Sequence, residues 1–150
     1  MIRCVEVMLS IPDNEARTAL ATLRRLGVEL ADLERAELYR CDAEGAQAER
    51  LVATLRGLET IFNPNKHRLR VRDDARPGPG EVWIEEIRPA SAASDTPVRV
   101  GGRTLPGVRS LDRFIVWRMY GRDRTPATPS LVGSAVETLL CNPAFQKAIR

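Results

Sequence analysis

Four cations alternate along one short run, Lys66, Arg68, Arg70 and Arg72, with His67, Leu69 and Val71 between them. In an extended strand, alternate side chains point to opposite faces, so the four charges share one face and could hold phosphate groups. Exposed edge strands carry the same residue types to discourage unwanted pairing, and both readings stay open at this point. Arg24 and Arg25 form a second basic pair, placed just before Gly27 at the end of a helical pattern. Arg122 and Arg124 form a third, in a loop.

Other chemistry-bearing residues are sparse. His67 is the single histidine, and no second His or Cys is spaced to join it in a metal site, so a half-buried strand residue is expected there. Cys4, Cys41 and Cys141 are odd in number and lack a CxxC spacing, which indicates neither a disulfide framework nor zinc; buried, inert thiols are expected. Glu85 and Glu86 are adjacent on a strand and therefore face opposite ways. There is no GxxxxGK[ST] loop, no GxGxxG after a strand and no HExxH. The sequence points to no catalytic residue, no cofactor and no metal.

The elements that would position these residues follow from periodicity. Val5, Val7, Leu9 and Ile11 alternate with Glu6, Met8 and Ser10, a strand with one face buried. Asp13-Asn14 can cap a helix whose stripe is Ala19, Leu20, Leu23 and Leu26, and Gly27 suits the left-handed residue that ends it. A strand is placed in Leu33–Cys41, although its charges leave little apolar surface. Asp42 or Glu44 then opens a helix carrying Ala48, Leu51, Val52, Leu55, Leu58, Ile61 and Phe62, with Gly57 inside it and Asn63-Pro64 ending it. The cationic strand follows.

Asp73–Gly80, DDARPGPG, reads as a linker. Val82–Ile87 is a strand, and Pro89–Pro106 a loop or a small hairpin about Gly101-Gly102. Ser110–Gly121 is apolar on both faces, with Phe114, Val116 and Tyr120 on one and Ile115, Trp117 and Met119 on the other, and so needs cover on both. Thr128-Pro129 starts a helix with the stripe Leu131, Val132, Ala135, Val136, Leu139 and Leu140, stopped by Asn142-Pro143.

These elements repeat. LVATLRGLETIFNPNKHRLRV, residues 51–71, is echoed by LVGSAVETLLCNPAFQKAIR, residues 131–150: Glu59, Thr60, Asn63 and Pro64 stand where the second segment has Glu137, Thr138, Asn142 and Pro143. Upstream, Gly27-Val28, Leu33-Glu34-Arg35 and Arg40 match Gly107-Val108, Leu111-Asp112-Arg113 and Arg118. Two related halves are expected, residues 1–73 and 81–150, joined by 74–80, the second lacking its first helix.

In order and spacing, CVEVMLSI, the helix ending LRRLGV, and the helix LVATLRGLETIFNP before HRLRV resemble the PurS family, the small subunit of phosphoribosylformylglycinamidine synthase. The resemblance covers about residues 2–72, with Leu139-Leu140-Cys141-Asn142-Pro143 matching in the second copy. It implies an α+β fold of two PurS-like, half ferredoxin-like repeats, each a small sheet with helices on one face, packed as a fused pseudo-dimer. It implies a non-catalytic adaptor that holds a glutaminase subunit against an ATP-dependent synthetase subunit. Candidate interface or anion-binding residues are then Arg24, Arg25, Asn63, Pro64, Lys66, Arg68, Arg70, Arg72, Asn142 and Pro143. The alternative is a stand-alone module binding a nucleotide or phosphorylated metabolite.

Composition fits either reading. Hydrophobic residues at 43% and charged residues at 29% describe a globular chain, and no segment has the roughly 20 apolar residues of a membrane span. The net charge of +3, from arginine more than lysine, chooses poorly among partners, and nucleic acid ranks third. MIRCVEVML is too short and too charged for a secretory signal, so a cytoplasmic protein is expected. Cover for the second face of Ser110–Gly121 can come from the first half of the chain or from another subunit, and a homo-oligomer is expected.

Overall fold

A computed structural model describes residues 1–87, 98–100 and 102–150. The order is β1 (Ile2–Leu9), α1 (Asn14–Arg25), β2 (Asp32–Ala43), α2 (Gly45–Arg56), β3 (His67–Arg72), β4 (Glu81–Glu86), β5 (Arg99–Val100), β6 (Arg103–Thr104), β7 (Val108–Tyr120), α3 (Pro129–Ala135) and β8 (Gln146–Ile149). Among the described residues the fold is α+β, with three α-helices and a six-stranded antiparallel sheet in the order β3-β1-β2-β7-β4-β8. The short strands β5 and β6 pair around Gly102, as the two glycines suggested; the remainder of the expected 89–106 loop as far as Pro97 lies outside the described residues.

The chain forms two compact units, each discontinuous in sequence. The first takes Met1–Ile11, Glu37–Ala75 and the described part of Arg88–Arg113; the second takes Pro12–Ala36, Arg76–Ile87 and Phe114–Arg150. Each therefore draws on both sides of residues 74–80.

In the first unit, β1 lies between β2 and β3, with Val5 opposite Tyr39 and Val71, and Val7 opposite Glu37 and Leu69. Val5 and Val7 turn to one face and meet Ala48, Leu51 and Leu55 of α2. The spacing of these three makes a single helical face. Full burial of each leucine contributes on the order of 2 kcal/mol. The helix is shorter than its stripe suggests. It ends at Arg56, Gly57 is the cap residue rather than an interior one, and Leu58 and Ile61 reach the same core from turns. Gly57 keeps helical angles, φ −82° and ψ −3°, so no left-handed residue ends this helix. Glu44 precedes the helix as expected, but its side chain makes no capping hydrogen bond.

In the second unit, β4 lies between β7 and β8, with Trp83 opposite Val116 and Ile149. Val82 and Ile84 of β4, Met119 of β7, Leu23 of α1 and Val132 of α3 share one core, with Ile115 and Trp117 packed against it. The Asp13 carboxylate accepts hydrogen bonds from the Glu15 and Ala16 N–H groups and caps α1, and Gly27 follows at φ 89°. The Thr128 hydroxyl accepts from Leu131 N–H, with Pro129 in the first turn of α3. Beyond Ala135 the helix widens into a π-type turn, Val136–Leu140.

Both faces of β7 are covered, as its double apolar pattern required. Met119 is buried with the helices, while Phe114 and Val116, on the alternate positions, are 1% and 0% exposed. The Phe114 ring stands 5.5 Å from that of Trp83. β2 corrects the expectation of little apolar surface: Leu33, Ala36, Leu38, Tyr39, Cys41 and Ala43 are all buried, because its charges lie at positions where they meet partners. No described helix is long and apolar enough to cross a membrane.

Candidate functional site

The cationic strand β3 is the terminal strand of the sheet, beside β1. Antiparallel register puts Arg68, Arg70 and Arg72 opposite Met8, Glu6 and Cys4. Arg68, Arg70 and Arg72 therefore share a face with Glu6. Glu6, expected on a solvated face, is 0% exposed. One carboxylate oxygen accepts from Arg70 at 2.7 Å and the other from Arg72 at 2.7 Å. Arg72 also donates to Asp74 at 2.8 Å, and its side chain is 8% exposed. A buried carboxylate is tolerable only when its charge and lone pairs are met, and two guanidinium groups meet them. Nothing in the local alternation of β1 could have revealed this, since the partners lie on β3.

Arg68 and Lys66 are exposed and form no ion pair among the described residues. On the opposite face of β3, Leu69 joins the core of the first unit while Val71 stays 44% exposed. Val71 borders an open groove of about 310 Å³ lined also by Arg3, Val5, Ala48, Glu49, Leu51 and Val52.

Asn63 and Pro64 lie in the turn that leads into β3. The Asn63 N–H donates to His67 Nδ1 at 2.9 Å, its side-chain oxygen accepts from Asn65 N–H, and its carbonyl accepts from the N–H groups of Lys66 and His67. His67 is thus a turn-closing acceptor, half-buried with its ring 6.2 Å from Phe62. Asn142 and Pro143 occupy a turn of the same kind in the second unit. The Asn142 N–H donates to Gln146 Oε1 at 2.9 Å, its side-chain oxygen accepts from Ala144 N–H, and its carbonyl accepts from Phe145 and Gln146.

Arg24 and Arg25, also in the second unit, do not act as a pair. Arg24 donates to the Leu30 and Ala31 carbonyls at 2.9 and 2.7 Å and fastens the loop after α1, whereas Arg25 reaches the Thr22 hydroxyl at 3.5 Å. Arg124 donates to Asp32 and Glu34, each at 2.9 Å, and lies 4.6 Å over the Tyr120 ring. Burial, then the Glu34 charge, raises the Tyr120 pKa. Asp123 and Arg124 both have positive φ, 60° and 54°, a conformation these contacts must hold in place. Glu81, 9% exposed, accepts from Arg118 at 2.8 Å and from the Gly78 N–H at 3.1 Å. Residues 73–80 contain no helix or strand, and this bond fixes part of them.

The thiols of Cys4 and Cys41 are buried, and Cys141 is half-buried. Burial pushes the Cys4 pKa up and that of Cys41 to about 11, so neither presents a thiolate near neutrality. The described residues contain no group of three or more His, Cys, Asp or Glu side chains placed to hold a metal ion. A second groove, about 480 Å³, runs along α1 over Trp117, Leu139 and Leu140. Its walls include Thr18 and Thr22, which sequence periodicity alone did not single out.

Comparison with protein-family models, with curated proteins and with solved structures gives no match.

Proposed function

We propose that this chain is a non-catalytic, PurS-like adaptor made of two related repeats, and that it bridges the glutaminase and synthetase subunits of phosphoribosylformylglycinamidine synthase. The observation that carries the reading is the pair of Asn-Pro turns. Each follows a helical segment, each opens the last strand of its half, and each is closed by the same set of hydrogen bonds from the same positions. The Asn-Pro turn before the last strand is also one of the features that make up the family resemblance, which rests on their order and spacing.

Matched positions support duplication further. The first strand of each half is flanked by the second and third: β1 by β2 and β3, β4 by β7 and β8. Arg40 faces Cys4 on β1, and Arg118 faces Glu81 on β4. Arg40 reaches Asp112 at 3.3 Å, and Arg118 reaches Glu34 at 3.9 Å, so each matched arginine meets the matched acid of the other half. Such reciprocity is what a fused pair of identical ancestors would leave behind.

The nucleotide-binding alternative rested on Arg68, Arg70, Arg72, Arg122 and Arg124. Three of the five, Arg70, Arg72 and Arg124, are held by carboxylates, which weakens it. Reconstitution tests the adaptor directly. Mixing purified glutaminase and synthetase subunits from the same host with this chain is expected to give a co-eluting complex and glutamine-dependent amidation. Assembly and activity that are indifferent to the chain would refute the proposal.

A further inference from the structure

Among the described residues no strand pairs with the outer edge of β3, and that edge is built to accept one. The ladder between β1 and β3 is fixed in phase by the hydrogen bond from Ser10 N–H to the Lys66 carbonyl, 2.8 Å. Stepping by two along the register makes Arg68, Arg70 and Arg72 the residues whose backbone groups bond to β1. The N–H and C=O groups of Leu69 and Val71 consequently point away from β1, where the sheet ends.

The side chains along this edge specify what would fit. An added strand would carry alternate side chains to two faces. On one face it would meet Arg68, which has no ion pair among the described residues, and the exposed side of Arg70. On the other it would meet Val71 and the groove beside Val52 and Ala48. A second copy of β3 is a poor occupant, because antiparallel self-pairing sets arginines across from arginines. We propose that β3 binds an extended segment of another protein in which acidic residues alternate with small apolar ones, through backbone strand addition. The inference stands on this edge alone and does not depend on the purine-complex reading.

The probe is a capped synthetic peptide alternating glutamate and valine, titrated into the full-length protein, with a lysine–valine peptide as control. Amide hydrogen exchange at Leu69 and Val71 is expected to slow with the first peptide and not with the second. Arg68→Gln is expected to weaken binding of the glutamate peptide by up to about fivefold, the scale of one exposed ion pair. Val71→Pro removes an N–H that β1 does not use, so it is expected to abolish binding while leaving the melting temperature within a few degrees, as proline is tolerated where the N–H faces out of an edge. The proposal is overturned by unchanged exchange at Leu69 and Val71, by equal affinity for the lysine peptide, or by undiminished binding to Val71→Pro. It is equally overturned if those amides prove protected in the free protein by self-association through β3.

Discussion

Replacing Glu6 by alanine tests how the first unit is held together. The carboxylate is 0% exposed, and its two oxygens each accept from an arginine at 2.7 Å. Removing one side of a buried ion pair typically costs about 3–5 kcal/mol, because the remaining charge is left in a poorly solvated place. Here the strain falls on Arg72, whose side chain is 8% exposed, and less on Arg70, whose side chain is 54% exposed and can rehydrate. Arg72 keeps its bond to Asp74, which sets the expected loss near the lower end, about 3 kcal/mol. Arg70→Ala leaves Glu6 bonded to Arg72 and removes a largely solvated charge, so its cost should be about 1 kcal/mol. In urea titrations followed by circular dichroism, the Glu6→Ala loss lowers the midpoint by about 1–2 M for a slope of about 2 kcal/mol/M. A Glu6→Ala loss under about 1 kcal/mol, or equal losses for Glu6→Ala and Arg70→Ala, would refute the reasoning.

Other perturbations probe the remaining elements. The Cys41 pKa is raised from 9.0 to about 11, so its contribution is complete below pH 9 and is lost as the pH climbs to 11, a loss of at most about 3 kcal/mol. Stability of Cys41→Ala should therefore fall less steeply over that interval than that of the unaltered protein, and parallel curves would contradict the assignment. Gly80 has φ 74°, and a Cβ there would lie 2.6 Å from the Met119 carbonyl oxygen, whereas Gly27, at φ 89°, has nothing within 4 Å of its added Cβ. Gly80→Ala should cost well over 2 kcal/mol and Gly27→Ala about 1 kcal/mol, measured by thermal melts; similar costs would contradict the close approach. Residues 1–73 expressed alone lack β4, β7 and α3, the core partners of Leu23 and Leu33, and should aggregate or self-associate. A soluble, folded monomer of that fragment would contradict the discontinuous units.

Sequence signals are legible where the physics is local. Asp13 and Thr128 cap their helices because side-chain oxygens near free N–H groups need no distant partner. The alternation of Lys66–Arg72 gave the two faces of β3, and the edge position agrees with the cations on it. What stayed hidden depended on distant residues. Glu6 looks solvated until β3 brings Arg70 and Arg72 beside it. The candidate arginines read as free charges because their acids, Asp32 and Glu34 for Arg124, are far away in sequence. Leu23 shares a core with Val82 and Val132, a grouping that no local periodicity in α1 encodes. Gly57 could as well have lain inside a helix as at its end, and only the packing of Leu58 and Ile61 from turns decided it.

The most direct test of the adaptor proposal is to tag this chain in its own host, purify it under gentle conditions and identify what accompanies it by mass spectrometry. The account predicts both a glutaminase and an ATP-dependent amidoligase subunit in defined stoichiometry. Recovery of the chain by itself, at expression levels where those subunits are present, would contradict it.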